Sequence, residues 1–261
     1  MDEFFKSQNV LNELDLDTPV YKYMPLQYVK FLIQEQKLRL FPASNWEDTY
    51  ENWFLKENFQ LTSGLIVNAE DLIPGVFGQC WSKKEESDAM WRIYSNVKNN
   101  GDEGFEYLQN SAVRIKTTAK KIFDAIYKDD KDMVSVYIGC VNYLNQDGFD
   151  EQIDSLSPLF MRNINEVVTK SYFIKRDSFA HEEEIRPIII VPNTGDNRFG
   201  NDFLDYSIDP NDFVEELVAE PRLKEDQYNY VREQLLNAGA REESISQSNL
   251  YQFKKTTIQL L

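Results

Sequence analysis

Lys175 to Arg186, reading Lys-Arg-Asp-Ser-Phe-Ala-His-Glu-Glu-Glu-Ile-Arg, is the stretch whose residue types and spacing could do chemistry. It runs straight into Pro187-Ile188-Ile189-Ile190-Val191, a β-branched apolar run that predicts a buried strand. On a strand, alternate side chains share a face, so the spacing predicts Glu182, Glu184 and Arg186 on one side and Glu183 and Ile185 on the other. Two carboxylates and a guanidinium at the mouth of a buried strand cost desolvation unless they pair or meet a ligand. Glu182 and Glu184 could then serve as general base and orienting carboxylate, or hold a divalent cation with Asp48 and Glu51. Arg186 could grip a carboxylate or phosphate with its planar fork. The plainer alternative is an ion-pair network with Lys175 or Arg92 that fixes the strand entrance.

Other chemistries are poorly served. His181 is the only histidine, so any catalytic triad must use it. There is no Gly-x-Ser-x-Gly elbow and no phosphate-cradling glycine loop. Cys80 and Cys140 are far apart and flanked by apolar residues, which fits buried thiols, and no Cys-x-x-Cys or Cys/His cluster suggests structural zinc. With 44 acidic against 28 basic residues, the net charge of −16 opposes a broad duplex-nucleic-acid surface or an anionic membrane. No run of about 18 apolar residues predicts a membrane span, and the N-terminus lacks an apolar signal core. These features predict a cytoplasmic protein.

The elements that must position the motif follow from the pattern of apolar residues. Strands are predicted at Val20–Tyr23, Lys37–Pro42, Val76–Ser82, Ala112–Thr117, Val134–Val141, Leu217–Glu220 and Ile245–Tyr251. Helices are predicted at Leu26–Gln36, after the Asn45–Glu51 motif through about Phe59, around Met90–Tyr94, at Ala119–Lys128 and at Asp226–Ala238 before a stop at Gly239. Asp48 and Glu51 suit an N-cap and its capping-box partner. Residues 1–19 form a polar leader, and 195–209, rich in Asn, Asp and Gly, a loop insertion. Strands and helices interleave without a regular βαβ rhythm, which predicts one α+β domain over 1–261 with a mixed, mostly antiparallel sheet and packed helices.

Lys22, Ser82, Trp91 and Tyr94 complete the candidate set. Trp91 and Tyr94, three apart, share a helix face that could be core or could stack on a base or nicotinamide ring. Ser82 would present a hydroxyl at a strand end.

Taken in order, Tyr21-Lys22-Tyr23, Asn45 to Glu51, Cys80-Trp81-Ser82, Met90-Trp91-Arg92-Ile93-Tyr94 and Lys175, Phe179, Glu182, Glu184 and Arg186 resemble the motifs of a bacterial family known as the domain of unknown function numbered twenty-nine seventy-one. Thr49 and Phe179 stand where that family usually has proline and tryptophan. The family implies no established activity. More distantly, Glu182-x-Glu184 is similar to the Glu-x-Glu element of ADP-ribosyltransferases, with Ser82 or Thr117 in the place of their Ser-Thr-Ser strand and Lys22 where they use arginine. That resemblance implies NAD as cofactor or substrate, Glu184 stabilising a developing oxocarbenium ion, and Ser82 or Thr117 positioning the ribose. The expectation is thus a nucleotide- or NAD-handling enzyme-like domain with a Glu-x-Glu-x-Arg site and a small-molecule nucleotide partner. Two alternatives stand beside it: a protein-interaction module, in a stress or phage-defence setting, whose motif residues are structural, and a metal-dependent phosphodiesterase.

Overall fold

A computed structural model describes residues 8–46, 48, 50–51, 56, 58–60, 63–68, 75–97, 104–130, 135–159, 162–191 and 202–253 of the chain. In chain order the elements used below are β1 (Val10–Leu11), β2 (Pro19–Pro25), α1 (Leu26–Glu35), β3 (Lys37–Pro42), β4 (Asn58–Gln60), β5 (Ile66–Asn68), β6 (Val76–Gly78), β7 (Trp81–Ser82) and α2 (Asp88–Tyr94). They continue with β8 (Ala112–Thr118), α3 (Ala119–Asp130), β9 (Ser135–Cys140), β10 (Asn142–Leu144), α4 (Gln146–Leu156), α5 (Ile164–Ser171) and β11 (Ile174–Arg176). Last come β12 (Glu184–Ile190), β13 (Leu204–Ser207), β14 (Glu216–Ala219), α6 (Glu225–Asn237) and β15 (Ile245–Gln247). Helices and a mixed, mostly antiparallel sheet give the α+β class that the interleaved pattern predicts.

The chain gathers into two compact units built from non-contiguous stretches: Met1–Val20, Lys37–Lys84 and Thr118–Ile208 form the first, and Tyr21–Gln36, Glu85–Thr117 and Asp209–Leu261 the second. In the first, β12 is the central strand. It pairs antiparallel with β9 on one side and with β6 and β7 on the other, while β3 and then β13 extend the sheet beyond β6. β1 adds in parallel to β9. All seven residues of β12 are buried, as its β-branched run demands. Its Ile188 and Ile190 join Val167, Val168, Tyr172 and Phe173 in a core beneath α4 and α5. Those two helices start on asparagine caps: the side chains of Asn145 and Asn163 accept from the backbone N–H groups of Gly148 and Glu166.

In the second unit β2 neighbours β8, which pairs antiparallel with β14, and β15 runs parallel to β14. Tyr21, Tyr23, Met90, Trp91, Ala112 and Val218 form its core cluster. α1 buries Leu26, Val29, Leu32 and Ile33 at helical spacing, and Lys30 donates to Gln234 of α6 at 2.8 Å.

Several expectations are corrected. The strand predicted over Val76–Ser82 is two strands, because the partner that faces Gln79 is Pro187, which has no N–H to complete the pair; only Gln79 N–H donates to Pro187 C=O, at 3.2 Å. The helix predicted through Phe59 does not reach that far: Asn58–Gln60 is a strand paired with β5. Residues 52–55, which that prediction also covers, lie outside the described residues. Part of the 195–209 loop is a strand, β13, held on β3 by a bidentate Arg39–Asp205 pair at 2.8 Å for both bonds; residues 195–201 lie outside the described residues. The closing strand ends at Gln247, after which Ser248 Oγ turns back to donate to Glu86 at 2.9 Å.

Candidate functional site

The alternation of β12 places Glu184 and Arg186 on one face, together with Ile188, and Arg186 is fully enclosed at 0% exposure. A buried guanidinium must satisfy its donors within the protein. Nε donates to Glu184 Oε2 at 2.6 Å, one terminal nitrogen to Glu51 Oε1 at 2.5 Å, and the other to Tyr172 C=O at 2.9 Å. Trp46 covers its flat side, with the guanidinium carbon 4.6 Å from the ring centroid.

Glu182 reaches the same cluster by another route than strand alternation. It ends a 3-10 turn spanning Asp177–Glu182, and Glu183 then takes a left-handed conformation at φ 44° before the strand begins. A glutamate there is uncommon and costs backbone energy. The turn swings Glu182 over Lys175, whose Nζ lies 2.6 Å from Glu182 Oε2, 3.0 Å from Glu184 Oε1 and 3.3 Å from Glu51 Oε1. Lys175 itself comes from β11, paired in parallel with β10 so that it faces Tyr143, whose hydroxyl accepts from Glu184 N–H at 2.8 Å. Ser82 is buried and tethers the turn: its Oγ donates to Glu182 C=O at 2.6 Å and accepts from Lys84 N–H at 3.0 Å.

Three carboxylates (Glu51, Glu182 and Glu184) therefore share two cations (Lys175 and Arg186). One negative charge is in excess, and the carboxyls respond unequally. Burial, a hydrogen bond with Glu184 and that group's negative charge push Glu182 up to about 7, against the pull of Lys175. Burial also works to raise Glu184, but Arg186, the Glu182 hydrogen bond and Lys175 outweigh it and hold that carboxyl low, at about 2. Burial acts to lower both cations, yet Glu184, Glu51 and Glu182 keep Lys175, and Cys80, Glu184 and Glu51 keep Arg186, well above their ordinary values. Solvent access differs in the same sense: the Glu182 side chain is 16% exposed, against 7% for Glu184 and 5% for Glu51.

Glu182, Glu184, Arg186 and Ser82 thus meet in the first unit. Lys22, Trp91 and Tyr94 belong to the second. Lys22 is half-buried on β2; Trp91 is fully enclosed, packed edge-on against Tyr23 with centroids 4.8 Å apart, and donates its indole N–H to Glu86. Tyr94 is half-buried against that cluster. Asp48 accepts from Tyr50 N–H at 3.0 Å, as a cap would, and also from Arg176 at 2.7 Å. Trp46 and Tyr143 were not singled out by sequence; no local pattern tells a ring over a guanidinium from an ordinary core aromatic. Arg114, at 3% exposure among Glu85, Glu86 and Glu216 in the second unit, was missed because an arginine in a predicted strand reads as its solvent side. Among the described residues no group of three or more His, Cys, Asp or Glu is arranged to hold a metal ion. No helix among them is long and apolar enough to cross a membrane. A separate cleft of about 840 Å³, lined by residues including Leu11, Val141, Tyr143, Phe173 and Ile174, has none of the Glu-x-Glu-x-Arg side chains in its wall.

Gly78 is what lets Trp46 reach Arg186. A methyl group there would come within 3.0 Å of Pro187 C=O and 3.1 Å of both Ile188 Cγ2 and Trp46 Cζ2. Backbone and core atoms would have to give by a few tenths of an ångström, so Gly78→Ala is expected to cost about 1–3 kcal/mol. Thermal denaturation checks it; an unchanged melting temperature would show that the strand yields freely.

Fold and site together define an α+β chain with a buried, charge-unbalanced ionic cluster at the mouth of its central strand. No family model and no curated protein matches the chain. Among solved structures it is similar to DarT from Thermus sp. 2.9. The complex with NAD+ superposes with a TM-score of 0.34 at 10% identity, covering 90% of this chain and 96% of that one. The complex with ADP-ribosylated single-stranded DNA gives 0.37 at 10% identity, covering 91% and 97%. The complex with carba-NAD+ gives 0.34 at 8%, covering 90% and 96%. Likeness at this level carries no argument about the chemistry of this chain.

Proposed function

We propose that the chain is a nucleotide- or NAD-handling enzyme in which Glu182 moves the proton, while Glu184, Arg186, Glu51 and Lys175 form the buried frame that sets its basicity. The observation that supports this is geometric: three carboxylates share two cations, and Glu182 is the most solvent-exposed of the three, so burial and the neighbouring Glu184 charge raise it while Arg186 and Lys175 hold Glu184 low. Pairs pushed apart in this way suit acid–base work at neutral pH. In glycosyl chemistry on NAD, Glu182 as base would take the proton of an acceptor O–H or N–H. The acceptor then bonds to C1′ as the C1′–nitrogen bond breaks, and nicotinamide leaves with the bonding electron pair. In this reading Glu184 holds Glu182 in place instead of meeting the oxocarbenium ion, since both its oxygens are engaged by Lys175 and Arg186.

The test is a thermal-shift screen with NAD, ADP-ribose, ATP and GTP, each with and without magnesium, followed by nicotinamide release. A shift of several degrees with NAD or ADP-ribose and no need for magnesium is the expected result. Flat curves with every ligand would sink the reading. A shift that appears only with magnesium would favour phosphodiester cleavage.

One observation favours a second reading. The donors of Arg186 and both oxygens of Glu184 are spent inside the protein, so the motif could serve only to brace the central strand of an interaction module. That reading predicts flat ligand curves and variants that change stability alone.

A further inference from the structure

Beside the Glu182 cluster lies an ion pair with two loose ends. Arg176, the last residue of β11, donates to Asp48 Oδ1 at 2.7 Å, and its guanidinium carbon lies 4.4 Å from the Tyr50 ring centroid and 5.3 Å from that of Phe179. Phe179 also lies under Lys175 Nζ, at 4.6 Å, so this group adjoins the site itself. The Asp48 side chain is 4% exposed, yet its second oxygen, Oδ2, is buried with no hydrogen-bond partner among the described residues, and so is Arg176 Nε. A buried acceptor and a buried donor left unsatisfied in one pair are costly, and each calls for a group to meet it.

A hydroxyl has the chemistry to meet both, because it donates through its hydrogen and accepts through its oxygen. Carboxylate recognition of a sugar hydroxyl is chemically apt: the charged acceptor makes a stronger hydrogen bond than a neutral one. Tyr50, 45% exposed, offers a ring on which a planar base could stack, and the Arg176 side chain, 37% exposed, brings the pair to the protein surface, although Asp48 Oδ2 and Arg176 Nε themselves are enclosed. Resting on the reading that this site handles a nucleotide, we propose that Asp48, Arg176 and Tyr50 form its ribose subsite: Asp48 Oδ2 and Arg176 Nε hold one ribose hydroxyl, and Tyr50 carries the base.

Calorimetric titration with AMP, 2′-deoxy-AMP and 3′-deoxy-AMP tests the subsite on the wild type, Asp48→Asn and Tyr50→Ala. The expected result is tighter binding of AMP than of one deoxy form by about tenfold or more, the discrimination collapsing in Asp48→Asn. In Tyr50→Ala all three ligands weaken together while the discrimination persists. Equal affinities for the three nucleotides on the wild type would mean that a bound water satisfies the pair, and would overturn the proposal, as would the absence of saturable binding. If Asp48→Asn keeps the full discrimination, the subsite falls while the role of Glu182 stands. If the discrimination behaves as expected but Glu182→Gln releases nicotinamide at the wild-type rate, the acid–base reading falls and the subsite stands.

Discussion

Arg186→Met is expected to lower the stability of the protein by about 3–5 kcal/mol, the range found when one member of a buried ion cluster is removed and its partners are left uncompensated. Both Glu51 and Glu184 lose their guanidinium, and Tyr172 C=O loses its donor. Lys175 alone would then face three carboxylates. Arg186→Lys should recover little, because one ammonium on a flexible stem cannot span the three acceptors that the planar fork reaches. Chemical denaturation measures the effect as a lower midpoint at unchanged slope. Replacing the charged partners along with the arginine, as in Glu51→Met/Glu184→Leu/Arg186→Met, should restore much of the loss, since an apolar substitute has no charge to desolvate. A loss below about 1 kcal/mol for Arg186→Met would put the cluster in the class of weak, solvent-screened pairs and remove the frame on which the role of Glu182 depends.

Glu182→Gln carries the second large effect. If Glu182 is the base, the variant should bind NAD or ADP-ribose as the wild type does and lose about 10²–10⁴-fold in nicotinamide release, the usual contribution of a positioned proton-transfer group. Wild-type release should fall as pH drops below about 7, where the carboxyl takes up its proton. Stability carries an independent signature. Glu182 is raised above the ordinary carboxyl value, so the folded chain holds this proton more tightly than the unfolded one; its contribution is full below about 4.5 and is lost as pH rises to about 7. Glu184 is depressed, so its contribution is present above about 4.5 and lost as pH falls towards about 2. From pH 5 to 8 only the Glu182 part is changing, and the wild-type melting temperature should fall by a few degrees. Glutamine cannot titrate, so the variant should lack this fall and melt no lower than the wild type at pH 8, where it leaves two carboxylates for two cations. A parallel slope in both proteins would show that Glu182 is not the group held near neutrality.

Which parts of this were readable in the chain follows from how far apart the interacting groups are. The apolar run from Pro187 marks the central strand, and the alternation through Glu184 and Arg186 places both on one face, because strand geometry is local and has period two. The alternation in Lys37–Pro42 likewise leaves Leu38 and Leu40 buried and Lys37 and Arg39 half-buried. The same rule failed one residue beyond the strand. Glu182 joins the cluster through the left-handed turn at Glu183, which an extended reading cannot foresee. Pro187 also carried a signal that was passed over: a proline inside a central strand removes a ladder donor, and the break between β6 and β7 is the consequence.

By itself the sequence determined the α+β class, the central buried strand and the presence there of more charge than a core tolerates unpaired. Each of these depends on residues within a few positions of one another, where backbone geometry and hydrophobicity act directly. Only the tertiary structure decided the partners: Glu51 meets Arg186 across 135 positions, Ser82 tethers Glu182 across 100, and Asp48 meets Arg176 across 128. It also decided which carboxyl titrates near neutrality, because that depends on the sum of burial and charge in three dimensions. Glu182 and Glu184 are the same residue two positions apart; their environments differ because the fully buried Arg186 bonds Glu184 at 2.6 Å, whereas Lys175 serves both carboxyls, at 2.6 Å from Glu182 and 3.0 Å from Glu184.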